Sequence, residues 1–382
     1  MTIGFFSGCE ELPPQQGESG KIKKYLCFIG YNSLSATSTQ EYVASHFDAV
    51  AIGTSPYTAI ENVKAMNPNI SFYGYSSACQ VGDWYSNWAT VNTHEDWFIH
   101  SKYGSSSADR IRESTSDGYV YIMDPSSGWA QYWANQCSST LSSKPAIHSI
   151  HADNAFDEWD QGFTGSNYNY PDLDDWNQQQ LANWHNGIVA QVTNTRALIQ
   201  KKFIVNTWKF TDTSNASGMH EWEHFVHGPL HDLTSSGYST ISTIYAINRM
   251  KLQADHGIDL VAISGTKGYP SSPTQEQQNR LHQLQVYTLC CFLFTVSDIT
   301  NSYYTWCTNS YRGDPSLFYF PEMDFVYGEP LGDYYSVGGD LYRRDFTEKI
   351  IFANISPSST YTVTVGGQTY QLPPTTGLIL EN

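Results

Sequence analysis

Apolar positions along the chain fall into short runs of four to six residues separated by longer stretches in which polar and apolar residues mix. Strands are expected at residues 25–29, 49–52, 70–75, 119–123, 147–152, 203–206 and 260–263, with a short one at 218–220 and another in the apolar run that ends at Val296. Helical spacing fills several of the gaps: around Glu41 to His46, from about Trp129 to Cys137, and from Trp176 to Gln200, where Leu181, Trp184, Ile188, Val192 and Leu198 recur on one face. Strand and helix alternate, which is the pattern of a parallel sheet with crossover helices, and the strand count lies close to the eight that close a (β/α)8 barrel. No G-x-G-x-x-G or G-x-x-x-x-G-K-[ST] follows the first strand, so an open nucleotide-binding sheet lacks its phosphate cradle and no nucleotide cofactor is expected.

The pattern changes near Pro330. Residues 340–346, 349–354, 361–365 and 377–380 alternate at period two, and Gly338-Gly339, Gly366-Gly367 and the segment 356–359 supply turns. This predicts a small antiparallel β domain of sandwich type over 331–382, behind a barrel spanning 21–330. Residues 1–20, with Pro13-Pro14-Gln15-Gln16-Gly17, show no periodicity and read as a flexible tail.

Composition narrows the partners. The 382 residues carry a formal charge of −17, which opposes nucleic acid and anionic lipid surfaces. The longest near-apolar run, Tyr287 to Val296, is about half of what a bilayer-spanning helix needs, so no membrane span is expected. Aromatic residues are abundant, 27 Tyr, 11 Trp and 18 Phe, and flat amphipathic rings suit sugar faces. The aromatic, Lys-poor composition leans towards a secreted or cell-surface protein, although the N-terminus lacks a complete signal peptide. Seven cysteines are scattered with no C-x-x-C, and His220, His224, His227 and His231 recur at helical intervals without H-E-x-x-H; neither pattern predicts a metal site.

In a (β/α)8 barrel the reacting groups sit at the C-terminal ends of the strands. Asp153 ends the run Ile147 to Ala152, and its neighbour Asn154 opens an aromatic loop, so this carboxylate is expected to face the barrel mouth. A second carboxylate comes from Gly218-Met219-His220-Glu221-Trp222-Glu223. If 218–220 is a strand end, Glu221 stands at the rim with Trp222 as a wall, while Glu223 already belongs to the following helix; Glu221 is therefore preferred as acid/base and Glu223 is its rival. Paired carboxylates are what acetal hydrolysis requires, one protonating the leaving oxygen and the other attacking or activating water. Asp124, Tyr31, Tyr75, Asn206 and Trp208 also follow strand ends and are candidate substrate contacts, as are Asn154 and Trp222. No G-x-S-x-G stands at a strand end, which leaves a serine hydrolase without its nucleophile turn.

The order of segments also resembles a family of hypothetical glycosyl hydrolases of TIM-barrel type with a C-terminal β domain, over roughly residues 22–380. The resemblance rests on Asp96-Trp97-Phe98-Ile99-His100, on Tyr121-Ile122-Met123-Asp124-Pro125 with Trp129-Ala130-Gln131-Tyr132-Trp133, and on Asp153-Asn154. It rests further on Phe320-Pro321-Glu322, Gly328-Glu329-Pro330-Leu331-Gly332, Leu341-Tyr342-Arg343-Arg344-Asp345-Phe346 and Ile351-Phe352-Ala353-Asn354. It implies a glycosidase acting on an oligo- or polysaccharide, with Asp153 matching the nucleophile at the end of the fourth barrel strand of related retaining enzymes and Glu221 or Glu223 matching the acid/base. The chain departs from the usual form in lacking a clear strand before Gly218.

Overall fold

The structure is a computed structural model that describes residues 20–28, 34–53, 56–101, 104–157, 177–207, 212–223, 225–226, 240–266, 272–308 and 315–382. Eight parallel strands close a barrel: β1 (Lys23–Phe28), β2 (Ala49–Ile52), β3 (Ser71–Ser77), β7 (Ser149–Asp153), β8 (Phe203–Asn206), β9 (Gly218–Trp222), β10 (Asp259–Thr266) and β11 (Ser302–Thr308), with β11 pairing back to β1. Strands such as β2 and β8 are buried at every position, because helices cover their outer faces while the lumen fills their inner ones. The covering helices are α1 (Thr37–His46), α2 (Tyr57–Met66), α4 (Gly128–Ser143), α5 (Gln178–Ile199), α6 (Asp212–Ser217), α7 (Thr240–Asp255) and α8 (Gln275–Leu293).

Two expected barrel strands are corrected. The segment 119–123 forms β6 (Tyr119–Ile122), which lies between β4 (Gln80–Gly82) and β5 (Arg112–Ser114) in a separate antiparallel sheet inserted, with the short α3 (Trp88–Val91), between β3 and α4. Its β-branched and aromatic residues give it a strand's pattern, but Tyr119 is exposed and Val120 half-buried, without the burial at every position that barrel strands such as β2 and β8 show. The apolar run ending at Val296 is the buried end of α8, opened by the capping box of Thr274 and Gln277; a short apolar run does not distinguish a buried helix from a buried strand. The eighth barrel strand is β11 instead, whose Tyr303, Tyr304 and Trp306 are buried among the serine and threonines that make it look polar.

Behind the barrel, β12 (Tyr335–Gly338), β13 (Leu341–Asp345), β14 (Lys349–Asn354) and β17 (Thr376–Glu381) form a four-stranded antiparallel sheet, and β15 (Tyr361–Val365) pairs with β16 (Gln368–Leu372). This sheet shares a core with the barrel's helical layer: Phe346, Ile351 and Ala353 pack in one cluster with Tyr287, Leu289 and Phe292 of α8. Gly377 permits the contact, since a Cβ there would stand 2.7 Å from Cys290 Sγ and 2.8 Å from the Val286 carbonyl oxygen. Arg344, 3 % exposed, donates to the carbonyls of Leu293, Phe294 and Gly332, satisfying groups that the end of α8 leaves open.

Candidate active site

Asp153 is the last residue of β7, the fourth barrel strand, and is half-buried at the C-terminal mouth. Its Oδ1 accepts from the Asn154 backbone N–H at 2.8 Å and from Asn206 Nδ2 at 3.0 Å, and its Oδ2 accepts from the Tyr75 hydroxyl at 2.7 Å. Asn154 reaches its position through a left-handed backbone with φ of 56°, a conformation asparagine tolerates better than most residues. Its side chain then donates to Ser77 Oγ at 3.3 Å and Gln80 Oε1 at 2.9 Å, tying the loop to the end of β3. Burial and the neighbouring Asp153 charge push the Tyr75 hydroxyl well above its usual range, so it stays a donor.

Asn206 ends β8 and is 4 % exposed. Its Nδ2 also donates to Glu223 Oε2 at 3.0 Å, so one amide group bridges Asp153 and Glu223. Side chains alternate along β9: Glu221 bonds His151 of β7 and Tyr25 of β1 across the lumen, whereas Trp222 packs beside Phe225 and Tyr245 of α7. Glu221 and Glu223 therefore both point inward, with Glu223 one step nearer the mouth. Glu223 directly follows the strand end rather than opening a helix.

Glu221 lies below the mouth, 1 % exposed. Its Oε1 pairs with His151 Nε2 at 3.0 Å and its Oε2 accepts from the Tyr25 hydroxyl at 3.0 Å, so both oxygens are taken by the barrel's own interior. Burial opposes the His151 imidazolium, but the Glu221 charge and hydrogen bond outweigh it and the net shift is upward. Two lumen thiols complete the floor. Burial, with Glu221 and Glu223 beside it, raises Cys27 well above its normal value; burial and then Glu223 push Cys307 up to about 12. Both are protonated thiols rather than nucleophiles.

The mouth therefore gathers Asp153, Asn154, Tyr75, Asn206 and Glu223 from the expected set. Trp222 is placed differently from the expected wall: it faces the helical layer, with ring centroids 6.2 Å from Phe225 and 6.5 Å from Tyr245, because the even positions of β9 point outward. Asp124 follows β6 rather than a barrel strand and closes a turn, accepting from the Ser126 N–H at 2.8 Å and the Ser126 hydroxyl at 2.6 Å, while Ser127 caps α4. Tyr31 and Trp208 lie outside the described residues. His220 is buried in β9, not on a helix, with Nδ1 2.8 Å from Ser214 Oγ, and burial lowers it to about 3; His224, His227 and His231 lie outside the described residues. Tyr25 and His151 were not singled out. Their positions alternate with the apolar, outward-facing residues of β1 and β7, the signal by which lumen side chains are read. Among the described residues no group of three or more His, Cys, Asp or Glu side chains is arranged to hold a metal ion.

No family model matches the chain, and no curated protein matches it. Solved structures do. A variant of the GH36 alpha-galactosidase AgaA from Geobacillus stearothermophilus, in complex with 1-deoxygalactonojirimycin, aligns at a TM-score of 0.51 and 10% identity, over 94% of this chain and 55% of that one. The glycoside hydrolase domain of PelA from Pseudomonas aeruginosa aligns at 0.46 and 9% identity, over 75% of this chain and 94% of that domain. Aspergillus fumigatus Ega3, in complex with galactosamine, aligns at 0.41 and 12% identity, over 79% and 96%. The first two are named as an alpha-galactosidase and a glycoside hydrolase domain. At such identities the likeness is one of fold, a closed eight-stranded parallel barrel, and this chain spans about half the length of the alpha-galactosidase.

Proposed function

We propose that the protein is a retaining glycoside hydrolase acting on an oligo- or polysaccharide, with Asp153 as nucleophile and Glu223, rather than Glu221, as acid/base. The observation that carries the reading is the shared amide of Asn206. Two acceptors each 3.0 Å from one nitrogen can stand no more than about 6 Å apart, and an amide whose protons point straight at Asp153 Oδ1 and Glu223 Oε2, about 120° from each other, sets them about 5 Å apart. That spacing suits the separation of about 5–5.5 Å used when a carboxylate attacks the anomeric carbon directly; an intervening water needs about 6.5–9.5 Å.

In this reading the steps are those of a double displacement. Asp153 Oδ attacks the anomeric carbon as Glu223 protonates the departing glycosidic oxygen, leaving a glycosyl ester on Asp153. Glu223, now a carboxylate, takes a proton from water, whose oxygen displaces Asp153 and restores both groups. The three donors around Asp153 fix its rotamer, and the Tyr75 hydroxyl can relax its hold on Oδ2 as the carboxylate gives up charge. Glu221, with both oxygens bonded inside the lumen, orients His151 and Tyr25 beneath the mouth. The charge of −17 favours neutral or cationic glycans over polyanionic ones.

The test is reducing-end release from a panel of neutral and amino-sugar polysaccharides. Asp153→Asn and Glu223→Gln should each lower turnover by about a thousandfold or more in a folded protein. If the wild type binds a glycan but hydrolyses none, a binding protein on a barrel scaffold replaces the enzyme.

A further inference from the structure

We infer that the flank of the barrel beside β3 carries a second carbohydrate-binding pocket, which grips a glycan chain next to, and outside, the two-carboxylate mouth. The inference extends the glycosidase reading and takes its ligand class from it. A cavity of about 640 Å³ opens between β3, α4 and the inserted β4–β6 sheet, where no long helix follows β3. Such a volume is ordinary for a small-ligand site and large enough for one or two sugar rings.

The lining has the chemistry of a sugar site. Trp84 and Tyr85 meet at a right angle, with ring centroids 5.6 Å apart and planes at 89°, forming an aromatic corner. Trp84 is laid on backbone: a Cβ at Gly82 would stand 2.8 Å from its ring and one at Gly118 3.1 Å from it, so the indole is pressed against two glycines on the inserted sheet. Only glycine leaves room for that contact, which holds the platform against the sheet. Around the corner stand amide side chains, Gln80, Asn87 and Gln136, which donate and accept at once as sugar hydroxyls require. Among the described residues of the lining, Asp117 is the one carboxylate and none is a lysine or arginine, which suits a neutral or amino sugar and not an anionic one.

The pocket is also coupled to the mouth. Tyr75 lines it and donates to Asp153, while Gln80 lines it and accepts from Asn154, the residue after Asp153. A chain held on the Trp84 corner is thus delivered beside the reacting carboxylate, and its occupancy bears on the two donors that position that carboxylate. The site is therefore one for long substrates.

The experiment titrates the full chain carrying Asp153→Asn, which blocks turnover, with cello-, malto- and glucosamine hexaoses by calorimetry. At least one should bind, and adding Trp84→Ala should weaken that binding about tenfold or more. Tyr85→Ala, at a ring that is 37 % exposed and so safe for folding, should weaken it in the same direction. On the active background, Trp84→Ala should raise KM for polysaccharide while leaving turnover of an aryl monoglycoside within about twofold. Hexaose binding unchanged by both substitutions overturns the pocket even if Asp153→Asn abolishes hydrolysis, and so does the absence of binding to every probe. Binding lost with Trp84→Ala in a wild type that hydrolyses nothing keeps the pocket and removes the enzyme.

Discussion

Asn206 divides the two protons of one amide between the carboxylates of Asp153 and Glu223, and the site's geometry hangs on that residue. Asn206→Ala should leave the two carboxylates unbridged and free to shift by about an ångström, lowering turnover by about 10–100-fold with little change in thermal midpoint. One layer down, His151 gains its proton more readily in the folded barrel than in the unfolded chain, because Glu221 faces it. The stabilisation is complete below the unfolded value of about 6.5 and fades as pH rises through the higher folded value. The thermal midpoint of the wild type should therefore fall as pH rises above about 6.5. Glu221→Gln should flatten that slope, and an unchanged slope would remove the pair from the account. Asp153 was legible because it ends an apolar strand. The choice between Glu221 and Glu223 was not, because it turned on two residues of strand length: with β9 running to Trp222, alternation carries Glu223 to the mouth and leaves Glu221 in the lumen.

Among elements, α8 shows how a buried helix hides as a strand. Its C-terminal half is buried on both sides, Gln285 and Thr288 included, since one side meets β10 and β11 and the other meets β14 and β17, so the amphipathic period is erased. Arg344 holds that helix end through the carbonyls of Leu293 and Phe294 and ties it to that of Gly332, and Arg344→Ala should lower unfolding stability by about 2–4 kcal/mol in denaturant titration, since the buried acceptors lose their donor. Gly377→Val should disturb the same contact by forcing β17 off α8, costing about 1–3 kcal/mol. A normal stability for either variant would mean that the sheet and barrel are less firmly joined than their common core indicates. In the inserted sheet only β6 has the pattern of a strand in the sequence, and that pattern does not tell it from a barrel strand; its antiparallel partners β4 and β5, too short to show a period, place it apart.

For the whole molecule, the alternation of short strands and helices was enough to expect a closed barrel followed by an antiparallel sheet, although two of the expected strands were misassigned and β11 was overlooked. What brings the chemistry together is closure: β3, β7, β8 and β9 are consecutive neighbours, so their C-terminal ends deliver Tyr75, Asp153, Asn206 and Glu223 to one side of the mouth. The central claim is that two carboxylates about 5 Å apart leave no room for water between the reacting carbon and Asp153. The most direct test follows the anomeric configuration of the first product by proton NMR, on whichever polysaccharide the wild type hydrolyses. The account predicts that the substrate's configuration is kept in the first-formed sugar before mutarotation. A first product of opposite configuration would contradict it, because inversion requires the wider spacing that the bridge through Asn206 denies.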